Sequence, residues 1–383
     1  MFNLTFSEQK ARWKYVDSPW DLLTACEELR LSKTTGNTLV FCIFSHIMGF
    51  WSAYILPIIS LFGIVSNMVT IYILSSKLHD RTRQYIYLSF IAGCDSVNII
   101  CYGWIWIFFA KGLPYASLGK VSFFTYNQGE ISCKLHRYFI AAISCSASSI
   151  FLLASVDRWF AIFWPLKCLN IPLRRAWQYS IGVIISSFIL MSPFAIYMGY
   201  TETGNQKTLC WIKVSTDEQG LAIFLQVYNV LFSFCGSFQT IAIIIVNVAL
   251  FYQINKGQKV RDQIRAAKGS NVRKEMSACV ILLVLSILYT ICSLPTSISF
   301  IFAFLMQKAT GPEAENRLRF AYNIGDIGWN IYMMQLCTNG LVFYWKMASF
   351  RNAFHRLLHN NMVLKATSTK NTFFQELKEN KTA

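Results

Sequence analysis

The sequence predicts an all-α membrane protein: a seven-transmembrane helix bundle followed by a short amphipathic eighth helix. Three observations predict it. The 383 residues are 54% hydrophobic and only 14% charged, more apolar and less charged than an average soluble domain. Windows of about twenty apolar residues, enough to cross a ~30 Å hydrocarbon core, recur along the chain. Basic residues are concentrated in alternate connections between those windows.

The spans fall at about 50–76, 84–110, 134–158, 176–200, 221–253, 276–306 and 320–345, leaving a segment 1–49 before them and a tail 346–383 after them. The stretch before the first span is unusual, because Thr38 to Ser76 carries no formal charge and only Pro57 interrupts it. Two crossings would need a polar turn there, so 38–49 reads as an apolar lead-in or as an extension of the first helix. No cleavable leader is expected, since MFNLTFSEQK is polar where a basic start and an apolar core would be required.

Orientation follows from the short loops. One set holds Lys77, Arg81 and Arg83 after span one, Lys167, Arg174 and Arg175 after span three, and seven bases between Lys256 and Lys274 after span five. The opposite set holds fewer: Lys111, Lys120, Lys207, Lys213, Lys308, Arg317 and Arg319. The positive-inside rule makes the first set cytoplasmic, which puts the N-terminus outside and the C-terminus inside; the plasma membrane is the expected location of such a chain. The sequon Asn3-Leu4-Thr5 then lies on the side where glycosylation occurs, so Asn3 is a candidate acceptor. The net charge of +16 is accordingly a topological signal and an attraction to anionic inner-leaflet lipid, with no nucleic-acid partner implied.

Cysteines sort by depth. Cys94, Cys101, Cys145, Cys235, Cys279, Cys292 and Cys337 fall inside spans and read as small buried apolar residues. Cys133, at the outer start of span three, and Cys210, in the loop before span five, both face the oxidising side, where they can close a disulfide. Cys26 and Cys42 have no evident partners, and Cys168 is cytoplasmic.

Span three ends in LLASVDRWFAIFWPLK, with Asp157 and Arg158 where bilayer gives way to water. An ionisable pair at that depth is costly unless partnered, and so marks a functional site. The plainer alternative is an arginine snorkelling to head groups beside a solvated aspartate. The surrounding motifs decide between them. Asn67 sits in GIVSN, Asp95 in LSFIAGCD, Cys133 lies 25 residues before Arg158, and Pro165-Leu166 follows the Asp157-Arg158-Trp159 triplet. Pro295 closes Cys292-Ser293-Leu294-Pro295, Asn339 opens NGLVF, and Phe350-Arg351 comes next.

In this order and spacing, residues 55–352 resemble the rhodopsin-like G-protein-coupled receptors, whose DRY, CWxP and NPxxY motifs these stretches match in part. The resemblance implies a receptor that binds an extracellular ligand and activates a heterotrimeric G protein by opening the cytoplasmic ends of helices three and six. Arg158 and Glu275 would form the resting lock, with Asp157 beside it, Tyr252 stabilising the open form, Pro165 in the second inner loop and Pro295 as the pivot of helix six. Asn67, Asp95 and Asn339 would form the core polar network, and Cys133 and Cys210 the outer disulfide.

The departures are equally specific. Ser293 stands where a toggle tryptophan is usual, Gly340 and Phe343 replace the proline and tyrosine of NPxxY, and span five lacks its proline. The family's sodium ion beside Asp95 is in doubt because Ala147 and Leu336 occupy positions of usual polar ligands; a protonated, hydrogen-bonded Asp95 is the alternative. These differences suggest a divergent branch, similar in its third and sixth spans to invertebrate neuropeptide receptors.

Ile140 gives a cationic amine no counter-ion, and Met333 replaces the lysine that holds retinal in opsins, so monoamine and photoreceptor roles are disfavoured. The outer side carries mixed charge, including Lys111, Glu130, Glu202 and Asp326, with Trp211 and Trp329 among its aromatics. Ile140, Trp211, Ser293, Trp329 and Met333 are the candidate pocket residues, and a peptide is the favoured ligand; the aromatics also fit an interfacial belt. In the tail, Phe350, Phe354, Leu357 and Leu358 share one face of an amphipathic helix. His355 and His359 are spaced for zinc but lack a carboxylate partner, so no metal and no other cofactor is expected. Neither HExxH nor paired catalytic aspartates occur in the spans, so the chain is not read as an enzyme. A transporter or channel, or a non-signalling decoy receptor, is the competing reading; the first would call for internal repeats or several embedded charges.

Overall fold

The computed structural model describes isolated residues between 22 and 30, then 38–76, 82–121, 123–125, 129–164, 171–203, 206–212, parts of 220–228, 238–249, 252, 270–306 and 312–359. Asn3, Pro165 and the tail beyond 359 lie outside the described residues.

The architecture is a helical bundle. Helix α1 runs from Thr38–Phe50 through a π-helical turn, Trp51–Ile55, into Leu56–Ser75. The apolar stretch 38–49 is therefore an extension of the first helix, because nothing polar or glycine-rich punctuates it. Pro57, which lacks an N–H, is accommodated by that turn: the Leu56 amide reaches back five residues to the Trp51 carbonyl. Helix α2 comprises Arg83–Asn98, a π-helical stretch Ile99–Gly112 and a last turn Leu113–Ala116. Helix α3 spans Glu130–Phe163, longer at both ends than the predicted 134–158.

Helix α4 (Leu173–Leu190) breaks at Met191 ahead of Pro193 and resumes as Ser192–Tyr197. It stops short of the predicted residue 200, because the chain turns into an antiparallel hairpin of β1 (Met198–Thr203) and β2 (Gln206–Ile212). The two residues between the strands, Gly204-Asn205, are a hairpin signal that the apolar-window reading passed over. Helix α5 is described over Phe238–Ala249, α6 is Ser270–Met306 with Pro295 inside it, α7 is Pro312–Lys346, and α8 covers 348–359.

Among the described residues four helical stretches are long and apolar enough to cross a membrane: Leu39–Ser75, Arg83–Ala116, Glu130–Ala161 and Leu173–Tyr197. Helix α1 packs on α2 and α7, α3 on α2 and α4, and α6 on α7. The core between them is filled by side chains such as Tyr87, Ile99, Ile150, Phe151 and Phe343. Large apolar residues such as Ile58, Ile131, Ile189, Ile245 and Ile298 point outward, as a lipid-facing surface requires. Helix α8 returns Phe350 and Ala353 to the core, with the Phe350 ring 5.8 Å from Phe343.

The outer extension of α1 has a covalent consequence. Cys26 and Cys42 form a disulfide across 16 residues, correcting the view that they lack partners. With Thr38–Phe50 helical, Cys42 sits on the extension of α1 ahead of the predicted span, on the side that the loop charges assign to the oxidising compartment. Non-reducing peptide mapping of the purified chain is expected to recover the Cys26 and Cys42 peptides cross-linked; labelling of either as a free thiol would contradict the bond.

Candidate functional site

At the inner end of α3, Arg158 is buried, with 4% of its surface exposed. Its neighbour Asp157 is held from α2: Gln84 Nε2 donates to Oδ2 at 3.1 Å, and Arg83 Nη1 stands 3.6 Å from Oδ1. Asp157 therefore fastens α3 to α2, a role the sequence reading did not give it. The helices differ in how they meet the candidate lock. Glu275 belongs to α6 by backbone, but its side chain, like that of Trp211 in β2, lies outside the described set. Tyr252 is 64% exposed.

Above this level, a polar network crosses the middle of the bundle. Asp95 is fully buried and accepts a hydrogen bond from Asn339 Nδ2 at 2.7 Å, while Gln335 Nε2 donates to Asn339 Oδ1 at 2.9 Å. Asn67 donates to the Leu336 carbonyl at 3.2 Å. Asn67 of α1 and Asp95 of α2 are thus tied to one stretch of α7, and Gln335 joins them without having been singled out. A buried glutamine in an apolar run is the signal that could have found it. Gly340, in place of a proline, also has a local reason: a side chain there would run into Ser66 and Thr70 of α1.

The fit to a sodium ion is poor. Asn339 presents an amide donor to Asp95, and the two positions where polar ligands are usual, Ala147 and Leu336, are buried apolar side chains.

Between α3 and α5, Gln239 links three side chains of α3: its Nε2 donates to Ser149 at 2.8 Å and to the Cys145 sulfur at 3.9 Å, and its Oε1 accepts from Ser148. Thr240 reaches Ser293 of α6 at 3.4 Å. This places Ser293, a candidate pocket residue, in a polar contact between α5 and α6. Met333 is buried, Ile140 packs partly buried against the core, and the Trp329 ring stacks on Tyr102 at 4.3 Å. Trp329 also meets Tyr332, which meets Tyr289, so an aromatic chain runs from α2 through α7 to α6. At the outer start of α3, Cys133 is buried and disulfide-bonded, while the side chain of Cys210 lies outside the described residues; its backbone pairs with Tyr200 in the hairpin.

Residues 66–343 match the family described as "7 transmembrane receptor (rhodopsin family)". Among curated proteins, the B2 bradykinin receptor of Sus scrofa is 22% identical over 246 residues, 63% of this chain and 61% of that protein. G-protein coupled receptor 54 of Oreochromis niloticus is 28% identical over 160 residues, 40% of this chain and 39% of that protein. Hydroxycarboxylic acid receptor 2 of Homo sapiens is 23% identical over 317 residues, 80% of this chain and 77% of that protein. The match covers less than two thirds of the bradykinin receptor and of G-protein coupled receptor 54.

Proposed function

Since the chain belongs to the rhodopsin family of seven-transmembrane receptors, a family of membrane receptors rather than enzymes, we propose that it is a peptide receptor that activates a heterotrimeric G protein. The ligand enters from the outer side among Ile140, Trp211, Ser293, Trp329 and Met333. Its binding favours the state in which the cytoplasmic ends of α3 and α6 are apart, and the coupling strength is its difference in affinity between the two states. Pro295 supplies the pivot inside α6. Asn67, Asp95 and Asn339 hold α7 in register with α1 and α2 while α6 moves. Cys133 pairs with Cys210 and fixes the hairpin over the outer end of α3.

The observation that carries this reading is the inner end of α3: a buried arginine whose neighbouring aspartate is committed to α2. Arg158 is then the group that α6 covers at rest and a G protein engages when the cleft opens, with Glu275 as its resting partner, Pro165 in the adjoining loop and Tyr252 turning inward on activation. A peptide is favoured by the bradykinin-receptor relatives and by the aromatic chain through Tyr102, Trp329 and Tyr332. Residues 1–49, with any glycan at Asn3, lie outside the cell, 50–345 form the bundle in contact with lipid, and 346–383 lie in the cytoplasm.

The test is G-protein activation in cells displaying the full chain at the surface, challenged with a peptide library and, in parallel, small organic acids. A saturable response to a peptide, absent from untransfected cells, is expected. Silence towards every ligand and every G-protein subtype, with surface display verified, would instead favour a decoy, for which the altered seventh-helix residues Gly340 and Phe343 leave room.

A further inference from the structure

The outer end of the bundle holds a buried ion pair that switching at the inner end does not use. Lys111 Nζ, near the end of the π-helical stretch of α2, lies 2.7 Å from Asp326 Oδ2 of α7. The partners are unequally covered: 5% of the lysine side chain is exposed against 21% of the aspartate. One turn further along α7, Trp329 lies against Tyr102 of α2, so the same two helices that carry the pair also carry an aromatic floor beneath it.

We propose that Lys111 is the anchor of a ligand carboxylate, which takes the place of Asp326 on the buried ammonium while an attached apolar or aromatic group rests on Trp329 and Tyr102. The asymmetry of burial gives the direction of exchange. A desolvated ammonium is costly without an anion nearby, whereas the partly exposed carboxylate can turn to water. A neutral or cationic ligand group could not take the place of Asp326 on the ammonium, because only an anion restores the charge balance that the buried lysine needs. The pair therefore selects for anions, and its release would free α7 from α2 at the outer side. This rests on the reading of the chain as a receptor for an extracellular ligand; the group recognised is either the C-terminal carboxylate of a peptide or that of a small acid.

The experiment is chemical rescue of the purified full chain, read as thermal unfolding. Asp326→Asn should unfold at a lower temperature than the native chain. Benzoate or N-acetyl-phenylalanine should raise its midpoint by roughly 3–5 °C at saturating concentration, while benzamide and N-acetyl-phenylalanine amide should not. Of the two acids, the more potent identifies the source: the amino-acid derivative a peptide C-terminus, benzoate a small acid. The double variant Lys111→Met/Asp326→Asn should ignore both acids. If Asp326→Asn fails to accumulate, the native chain serves: benzoate should raise its midpoint over benzamide by exchange at Lys111, a difference that Lys111→Met/Asp326→Asn loses. Absence of a carboxylate-specific shift, or an equal shift in Lys111→Met/Asp326→Asn, overturns the proposal. The readout involves no G protein, so a receptor that does not signal still passes or fails this test independently.

Discussion

Arg158→Ala is expected to cut ligand-driven G-protein activation about 30-fold or more at matched surface density. Truncating a buried, hydrogen-bonded charge at an interface costs roughly 2–5 kcal/mol, and 2 kcal/mol corresponds to about that factor. The structural reason is the asymmetry at the end of α3. Asp157 is engaged by Gln84 and Arg83 of α2, so α2 and α3 form one platform, and opening the inner cleft requires only α6 to leave it. Arg158 is buried, with 4% exposure, and on the proposed reading it is α6 that uncovers it. Loss of its guanidinium should cut the response by at least that factor, whereas Glu275→Ala should raise the basal signal by removing the proposed resting partner. Nucleotide exchange on purified G protein, measured with membranes of each variant, separates the two. A full response from Arg158→Ala would sink the switch and leave the Asp-Arg pair as a tie between α2 and α3.

That platform also shows where sequence reading stops. The helices were legible because each is an apolar window bounded by charge or proline, a signal that depends only on local composition. The outer third of α1 was ambiguous for the same reason: between Thr38 and Pro57 nothing polar marks where a helix should begin. The motif residues Asp95 and Asn339 were recognisable one by one, and they are hydrogen-bonded across 244 positions. Their companions were not. Gln84, Gln239 and Gln335 carry no motif, and their importance comes from being buried opposite another polar group, which only tertiary packing decides. Lys111 and Asp326 read in sequence only as scattered outer charges, since no spacing rule links residues 215 apart. The hairpin was lost to the opposite error, a helix extended on hydropathy through residues whose turn chemistry points to strands.

Gly328→Ala should lower the thermal midpoint of the purified chain by roughly 5 °C, while Gly182→Ala should leave it unchanged or raise it slightly. Both are glycines inside helices, where alanine is intrinsically favoured by ~0.5–1 kcal/mol, so propensity alone predicts the same sign for both. Packing separates them. A Cβ at Gly182 meets nothing within 4 Å, but one at Gly328 would lie 2.6 Å from the Thr296 backbone nitrogen and 3.0 Å from the Pro295 carbonyl carbon. Those are backbone atoms of α6, which no rotamer change can move aside, so the two helices must part; overpacking of this kind costs about 1–3 kcal/mol. Small residues at this seam let α6 and α7 approach backbone to backbone, as apolar helices do in lipid. Gly325 repeats the device one turn earlier, against Ser299 Oγ at 2.8 Å. Because the Gly328 contact falls at Pro295, where α6 lacks one backbone hydrogen bond, forcing the helices apart there should also shift the resting position of the pivot. Gly328→Ala should therefore change basal G-protein activation as well as stability, and a variant that lost stability with unaltered basal activity would separate the seam from the switch.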